Sequence, residues 1–361
     1  MRAAILLVGT LLAGCERRDP VPPPTGGAEA PATAEAPLRF VGGERCGGCH
    51  PSERDRWRGS HHDLAMQEAN DATVLGDFEG ARLEHFGVTT EFRRSDEGFQ
   101  VRTEGPEGEP GVFEVVYTFG VDPLQQYLVR LAGGRLQALP FAWDTRPADR
   151  GGQRWFHLHP DEAIPASDEL HWTGLNQNWN HMCAECHSTG VRKRYRLEED
   201  RYETTWSDID VSCEACHGRG SRHVSWAEAG GQSGDDGLEV KLANDAAWIL
   251  DPGAAIARRS PPRESASELE TCALCHSRRG ALGDGYVHGQ PLLDSHRLAL
   301  LEPRLYQPDG QILEEVYVHG SFLQSRMYAA GVSCTDCHDP HSLTLAEAPD
   351  APCARCHRPE V

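Results

Sequence analysis

The residues best suited to chemistry in this chain are cysteines and histidines in a repeated C-x-x-C-H pattern. Six such units occur, and they use twelve of the 13 cysteines. In chain order, motifs 1 to 6 are Cys46/Cys49/His50, Cys183/Cys186/His187, Cys213/Cys216/His217, Cys272/Cys275/His276, Cys334/Cys337/His338 and Cys353/Cys356/His357. Such paired thiols bond one porphyrin edge through thioethers, and the adjacent histidine reaches the iron from one face. The pattern predicts six covalently attached c-type haems.

Zinc sites and disulfide bonds are two other uses of paired cysteines. A zinc site does not require a histidine directly after every second cysteine, and such a histidine is badly placed to share one metal with both thiolates. Disulfides form in exported proteins, but twelve cysteines in closely spaced pairs would be a poor framework for joining distant loops. Haem attachment therefore explains the pattern best.

Twelve of the 18 histidines lie outside the motifs. That number is enough for a second imidazole at every iron, which would favour low-spin centres suited to one-electron transfer. Candidates for the opposite haem faces lie in Trp-, Gly- or Leu-bearing segments, and they are His157, His171, His288 and His296. Met327 offers a thioether ligand, although a packing role is the simpler interpretation. A count of histidines does not show that every iron has two ligands.

The long segment between motifs 1 and 2 is predicted to form strands. Alternating segments at 89–94 and 99–103 flank a Ser-Asp-Glu-Gly turn, those at 126–131 and 135–142 flank Ala-Gly-Gly, and 112–119 lies between them. This sheet would dock a partner or, more simply, cover neighbouring haems.

Motifs 2 to 6 follow one another closely, and so few residues per haem cannot form separate cores. We therefore expect porphyrins to supply apolar filling. The predicted fold is mainly α and haem-stacked, with few regular elements and a small inserted antiparallel β-sheet.

The amino terminus indicates export. Residues 1–15 combine one Arg, a short apolar run and small residues, which is typical of a secretory signal too short to span a bilayer as a mature helix. The segment ends in Leu-Ala-Gly-Cys, like a bacterial lipobox, so Cys15 is the predicted lipid attachment site. Several acyl chains would give a firm membrane anchor. A plain signal peptide with an incidental cysteine is the alternative.

Composition and charge limit the partners. The formal net charge of -20 argues against binding to nucleic acid or to an anionic membrane through a basic patch, and it favours basic partner surfaces. The predicted organisation is a signal peptide at 1–15, a disordered Pro/Ala-rich linker at 16–38, a first haem segment at 39–75, a β-rich subdomain at 76–150 and a five-haem domain at 151–361.

Three stretches around the motifs resemble a known family. Motif 1 is followed by Trp-Arg-Gly-Ser-His-His ending at His62, motif 3 by Gly-Arg-Gly-Ser-Arg-His ending at His223, and motif 5 by Asp-Pro-His ending at His341. These stretches resemble the C-x-x-C-H … W-x-x-S-x-H pattern of the multihaem cytochrome c-552/c-554-like family. The resemblance extends over 40–357.

That resemblance implies a mostly helical, haem-stacked fold in which the histidine ending each stretch binds the iron of a neighbouring haem. His62, His223 and His341 are thereby the preferred distal ligands. Arg219 departs from the family, because it replaces the Pro usual in the C-H-G-P-G element, and this puts the turn before His223 in doubt.

The predicted function is electron transfer through six haems between redox partner proteins, at the periplasmic or cell surface. The alternative is a haem-based oxidoreductase acting on a small nitrogen or sulfur compound at a five-coordinate haem, as relatives in the wider superfamily do. In this chain no Lys replaces an attachment histidine, so one reductase pattern is absent. A third possibility is a scaffold in which the haems are purely structural.

Overall fold

The computed structural model describes residues 37–96, 98–232, 234–242, 246–314, 316–345 and 351–358. The predicted signal peptide, Cys15 and most of the predicted linker lie outside these residues. Among the described residues, no helix has the length and hydrophobicity needed to cross a membrane.

The strands are β1 Gln67–Glu68, β2 Glu79–His85, β3 Val88–Ser95, β4 Gly98–Glu104, β5 Pro110–Phe119, β6 Leu124–Leu131, β7 Arg135–Asp144, β8 Arg154–His157, β9 Tyr195–Arg196, β10 Arg201–Tyr202, β11 Ala247–Ile249, β12 Arg258–Ser260, β13 Arg279–Ala281 and β14 His296–Leu298. The α-helices are α1 Gly43–Gly47, α2 Pro51–Trp57, α3 Trp179–Met182, α4 Ala184–His187, α5 Cys213–His217, α6 Ser221–Glu228, α7 Ser267–His276, α8 Val318–Phe322, α9 Arg326–Ala329 and α10 Ala351–Ala354. Short 3-10 helices occupy Asp63–Ala65, Ala132–Gly134, Ala148–Arg150, Leu175–Gln177, Leu197–Glu199, Leu292–Asp294 and Cys334–Asp336.

An antiparallel sheet of eight strands is the largest element. Its order is β2-β3-β4-β5-β6-β7-β8, and β1 pairs with β5. Register shifts interrupt the β2–β3, β5–β6 and β6–β7 pairs, and such bulges bend a sheet. The rings of His85 on β2 and His157 on β8 stack with centroids 3.6 Å apart, which shows that the two end strands lie close to each other. The sheet is therefore nearly closed.

The expectation of a mainly α fold is wrong, since the chain is 25% helical and 27% strand. The segments predicted as strands lie within β3 to β7, but β1, β2 and β8 enlarge the sheet beyond the small insertion that the sequence suggested. Helices stay short because most haem motifs occupy a single helical turn before the chain bends away. Helices of that length gain little stability from their own hydrogen bonds.

The sheet contains most of the described core. One cluster centres on Phe78, Phe92 and Trp155, and the rings of Phe92 and Trp155 stack at 3.6 Å. A second cluster includes Trp179 and Ala184, so it joins the sheet to motif 2. Beyond motif 3 the described core has one small cluster, Ala273, Leu274 and Leu292 with a few partly buried neighbours, and the other buried apolar residues lie outside it: Val240, Ala257, Leu269, Tyr306, Val316 and Val332. The motif-rich part of the chain therefore has little apolar core of its own.

Candidate haem sites

Each of the six motifs forms one helical turn. In motifs 1, 2, 5 and 6 the backbone N–H of the histidine donates to the carbonyl of the first cysteine, at 2.8–3.1 Å. Motifs 3 and 4 lie within α5 and at the end of α7. Residues three and four apart share a helix face, so this turn presents both thiols and the imidazole in one direction. That is the arrangement that attachment to one porphyrin requires.

The sheet supports motif 2 directly. Asn180 on α3 accepts a hydrogen bond at Oδ1 from the backbone of Leu136 on β7, at 2.8 Å. The amide of Asn178 donates to Gln137 on the same strand, also at 2.8 Å. These buried amides fix α3 on β7, and α4 with motif 2 follows immediately.

Cysteines of different motifs lie against each other. Motif 1 lies close to motif 3, motif 2 to motif 4 and motif 4 to motif 5, because the side chains of Cys46 and Cys213, of Cys186 and Cys275, and of Cys272 and Cys334 interact and shift each other's pKa. None of the twelve motif cysteines forms a disulfide bond. Burial raises the pKa of Cys183 to about 12 and that of Cys216 to about 11, which keeps these thiols neutral. A structural zinc site needs four Cys or His ligands; within the described ranges no group of three or more such side chains is arranged to hold a metal ion.

Two pairs of histidine rings have a spacing suited to an iron between them. The rings of His50 and His223 have centroids 6.0 Å apart and planes at 27°, and those of His62 and His276 lie 6.3 Å apart at 48°. Two imidazoles on opposite faces of one iron, each with its nitrogen about 2 Å from the metal, place their ring centres roughly 6 Å apart. Each pair combines a motif histidine with a predicted distal ligand.

His341 and His217 of motif 3 line the same cavity. Burial is the main cause that lowers the pKa of His217, and His341 lowers it further through its charge. Within the described part of the chain, the buried Nδ1 of His341 has no hydrogen-bond partner. His62, His223 and His341 are thus each placed near the proximal histidine of a different motif: motifs 4, 1 and 3 respectively.

The histidines of motifs 5 and 6 lie at the protein surface. Both His338 and His357 are exposed, and no second histidine ring packs against either of them within the described ranges. Their binding to iron rests on the C-x-x-C-H spacing and stays a prediction.

Their backbones are nevertheless held in place. The N–H of His338 donates to the carbonyl of Cys334 at 3.0 Å, and that of His357 to the carbonyl of Cys353 at 2.8 Å. Single antiparallel bridges also pair His338 with Leu345 and His357 with Ile256. An exposed imidazole on a fixed turn can still bind iron, and His50 of motif 1 is likewise exposed although it faces His223.

Backbone carbonyls orient several of the more buried imidazoles. Nδ1 of His187 lies 3.3 Å from the carbonyl of Ala65, and Nδ1 of His217 lies 3.3 Å from that of Val240. Nδ1 of His223 lies 2.8 Å from the carbonyl of Asp236. With Nδ1–H donating to the backbone, Nε2 is the nitrogen left for a metal.

The tryptophan of the W-x-x-S-x-H stretch has a structural role beside His62. The indole of Trp57 donates to the carbonyl of Val211 at 3.0 Å, and the backbone N–H of Val211 donates to the carbonyl of His62 at 3.2 Å. The stretch therefore fixes the backbone that carries His62.

Arg219 also finds a specific partner. Its backbone N–H and its guanidinium both donate to the carboxylate of Glu239, at 2.6–3.0 Å. A proline could not make the backbone bond. Glu239 therefore holds the turn that leads into α6, and His223 on that helix still faces His50.

A cavity of about 740 Å³ lies between motifs 1 and 3. Its size falls in the range of roughly 300–1,000 Å³ that is usual for ligand and cofactor sites. Its lining includes both motifs and three histidines from elsewhere: Cys46, Cys49, His50, Cys213, Cys216, His217, His62, His223 and His341. The donor set, the paired imidazoles and the cavity fit covalently bound haem.

The other predicted ligands have different surroundings. His157 stacks on His85, and His171 lies between the Thr173 hydroxyl at 2.8 Å and Glu104 at 3.8 Å. These contacts engage both in the sheet region, which disfavours them as iron ligands. Met327 is half exposed on α9.

Two further candidates lie beside attachment motifs. Nε2 of His288 is 3.2 Å from the carbonyl of Ala215, inside motif 3. His296 is fully buried, with Nε2 3.4 Å from the carboxylate of Glu185, inside motif 2. Their ligation stays a prediction.

Sequence reasoning missed two acidic residues inside motifs. Glu214 accepts hydrogen bonds from the backbone N–H groups of Val41, Gly42 and Gly220. Glu185 forms an ion pair with Arg279. The sequence did contain a signal for both residues, since each glutamate stands between two cysteines that must face a porphyrin. A carboxylate in such a place needs hydrogen-bond or charged partners.

Comparisons with known proteins give a consistent class. The family model described as cytochrome c554 and c-prime matches residues 153–218, which contain motifs 2 and 3. No curated protein sequence is significantly similar to the chain. The outer cell wall cytochrome OcwA is similar in structure, with a TM-score of 0.52 and 16% identity over 88% of this chain and 67% of that chain. This similarity shows a shared fold.

Two larger proteins are similar at lower scores. The undecahaem cytochrome from the S-layer of Carboxydothermus ferrireducens has a TM-score of 0.43 and 16% identity, over 92% of this chain and 44% of that one. The octahaem sulfite reductase MccA of Wolinella succinogenes has a TM-score of 0.34 and 16% identity, over 87% of this chain and 46% of that one. The six motifs and the family match support a multihaem c-type cytochrome as the class of this protein, with electron transfer by covalently bound haem c.

Proposed function

We propose that this protein is an exported, lipid-anchored cytochrome that carries six haems and passes electrons between redox partner proteins. The observation that carries the proposal is the proximity of cysteines of different motifs. Because each cysteine pair is bonded to one edge of its porphyrin, neighbouring cysteines bring two porphyrin edges close together.

Charge effects extend this proximity to all six motifs. Beyond the three close pairs, electrostatic interactions that affect thiol pKa values link motif 3 to motif 4 and motif 5 to motif 6, through Cys216 with Cys272 and Cys275, and through Cys337 with Cys353 and Cys356. The resulting order runs from motif 1 through motifs 3, 4 and 5 to motif 6, with motif 2 beside motif 4.

The two ends of this order are accessible to partners. Cys49 in motif 1 and Cys353 in motif 6 are exposed, and so are the histidines of the same motifs, His50 and His357. Electrons can therefore enter from a partner at one end and leave to a partner at the other end.

Haem iron supplies reversible one-electron chemistry when bound. The chain attaches each group through two thiols, presents one imidazole to each iron, and brings a second imidazole to motifs 1, 3 and 4. It also buries the inner motifs more than the outer ones, since the cysteines of motifs 2 to 5 are only partly exposed whereas Cys49 and Cys353 are exposed.

Export and surface location rest on the sequence at residues 1–15 and on the similarity to a cytochrome named for the outer cell wall. The proposed mature protein begins at a lipidated Cys15. The linker at 16–38 then separates the membrane from the first haem segment. A Cys15→Ser variant should appear in the soluble rather than the membrane fraction of cells, and equal membrane retention would contradict the anchor.

The test of the haem proposal uses the full chain made in a bacterial host with haem-ligation machinery. Intact mass should exceed the polypeptide and lipid mass by six haems, and absorption should respond reversibly to dithionite and a mild oxidant. A Cys334→Ala/Cys337→Ala variant should lose one haem. A colourless product of unmodified mass, or haem that cannot be reduced reversibly, would overturn the proposal.

The alternative activity concerns an iron with an open face. The same oxidised sample should be low-spin and unresponsive to nitrite, hydroxylamine or sulfite if the protein is a carrier. A high-spin component that changes on adding one of these compounds would instead favour an oxidoreductase of small nitrogen or sulfur compounds.

A further inference from the structure

A buried ion pair lies at the junction of motifs 2 and 4. Glu185 stands between the two cysteines of motif 2, and Arg279 begins β13, shortly after motif 4. A guanidinium nitrogen of Arg279 lies 2.8 Å from a carboxylate oxygen of Glu185, and their side chains are 9% and 25% exposed respectively.

The guanidinium also contacts an attachment sulfur. Nη2 of Arg279 lies 3.3 Å from Sγ of Cys186, and Nε donates to the carbonyl of Leu274 inside motif 4. Cys186 in turn contacts Cys275. The positive charge is therefore held where the sulfurs of two attachment motifs meet.

His296 completes the arrangement from the neighbouring strand. Its fully buried ring lies with Nε2 3.4 Å from Glu185 and Nδ1 2.9 Å from the Ser295 hydroxyl. His296 pairs with Ala281 where β14 meets β13, the strand that Arg279 begins. Two hydrogen-bonding neighbours thus fix the position of the carboxylate.

Such a pair is not explained by stability alone. Burying two charges costs desolvation energy that their attraction often fails to recover, and an apolar pair of similar volume would serve a core as well. Its charges do act strongly on nearby groups, because the effective dielectric is lower inside a protein than in water.

We propose that Arg279 and Glu185 set, with opposite sign, the reduction potentials of the haems attached at motifs 2 and 4. This inference rests on the proposed electron-transfer function. Reduction adds one electron to an iron without making or breaking a bond at either residue. The guanidinium stabilises that added negative charge and the carboxylate disfavours it. Both residues act through their charge and do not bind the iron.

The experiment is a spectroscopic redox titration of the full holoprotein, with dithionite as reductant and ferricyanide as oxidant. Arg279→Gln should move part of the titration, that of the two affected haems, to lower potential. Glu185→Gln should move it to higher potential, and the double variant should return toward the parent. Arg279→Lys keeps the charge and should titrate close to the parent.

Arg146→Gln is the matched control, because Arg146 is half exposed and pairs with Asp144 at 2.6 Å in the sheet region. It should leave the titration unchanged. The inference would be overturned if both single variants carried the full haem content and titrated like the parent. It would also be overturned if both variants shifted the reduction potential in the same direction. If Arg279→Gln fails to incorporate haem, the sign of the Glu185→Gln shift still decides. A parent protein without reversible reduction would instead overturn the proposed function.

Discussion

The imidazole rings of His50 and His223 face each other with centroids 6.0 Å apart, although one belongs to motif 1 and the other lies on α6 beyond motif 3. The carbonyl of Asp236 accepts from Nδ1 of His223, which leaves Nε2 free for a metal. We therefore expect His223 to bind the iron of the haem attached at motif 1, which would link the amino-terminal segment to the middle of the chain.

Replacing His223 by Ala should remove the second ligand from one iron. We expect a high-spin signal from about one sixth of the total haem in low-temperature electron paramagnetic resonance, since an iron with a single strong axial ligand no longer stays low-spin. His85→Ala is the control, because His85 stacks on His157 at the sheet edge. A wholly low-spin His223 variant, or an equal signal from the His85 variant, would rule out the assignment.

Glu214 should matter for stability rather than for haem binding alone. It is 1% exposed and accepts from the backbone of Val41, Gly42 and Gly220 at 2.7–3.0 Å. Glu214→Ala leaves those donors without a partner, so the free energy of unfolding should fall by about 3–5 kcal/mol. Glu228→Ala, an exposed partner of Arg45, should cost under about 1 kcal/mol. Chemical denaturation of the two holoproteins checks this, and similar losses would contradict it.

Phe92 lies at the centre of the sheet core and should contribute strongly to stability. It is fully buried, stacks on Trp155 at 3.6 Å and meets Phe78 edge-on at 5.8 Å. Phe92→Ala should lower the free energy of unfolding by about 3–5 kcal/mol, through lost apolar burial and the cavity left behind. Phe86→Ala, 59% exposed at the β2–β3 turn, should change it by less than about 1 kcal/mol. Equal melting temperatures of the two variants would refute this role.

The sequence predicts local features of this protein better than long-range ones. Strands β3 to β7 follow from alternating apolar residues and glycine-bearing turns, and the attachment turns follow from the C-x-x-C-H spacing. β2 escaped prediction because none of its residues is fully buried and only two of them, Ala81 and Leu83, are apolar apart from glycine. Its pairing across the closing edge with β8 depends on the curvature of the whole sheet.

The distal ligands show the same limit. His62, His223 and His341 were suggested by a family resemblance, but the motif that each one faces is set by tertiary packing. His296 was a further candidate because of its neighbours in sequence. Its contact with Glu185 joins residues far apart in the chain, and no local pattern predicts that contact.

The exposure of His338 and His357 is a further feature that the motifs could not reveal. Their C-x-x-C-H units are as regular in sequence as those of His187 and His217, which are partly buried. What differs is the protein packed around each turn, and that depends on segments distant in the chain.

Asp210 should make stability depend on pH. Its Oδ1 is buried and lacks a hydrogen-bond partner among the described residues, and Asp208 and Asp63 lie nearby. Burial, followed by these carboxylates, raises the pKa of Asp210 from 3.8 to about 7. The folded state therefore favours the protonated form, and the stability that this contributes is lost as pH rises from about 4 to about 7.

Asp210→Asn cannot ionise, so its stability relative to the parent should increase across that pH window and level off above it. Thermal unfolding of both holoproteins at pH 4, 6 and 8 measures the difference. Asp55→Asn, at an exposed ion pair with Arg58, should show no such trend. A difference between Asp210→Asn and parent that stays constant with pH would contradict the prediction.

Haem removal should affect the two parts of the chain differently. The sheet region contains a cluster of twelve buried residues. The cluster described beyond motif 3 has three buried members, Ala273, Leu274 and Leu292. Protein made without haem-ligation machinery should therefore keep a protease-resistant fragment near residues 67–157, while the chain from motif 3 onward is digested, because burying so little apolar surface cannot offset the entropy of folding. Mass spectrometry after limited proteolysis identifies the fragments, and holoprotein treated alike is the control. Digestion of the sheet at the same rate as motifs 3 to 6 would show that the sheet also needs haem to fold.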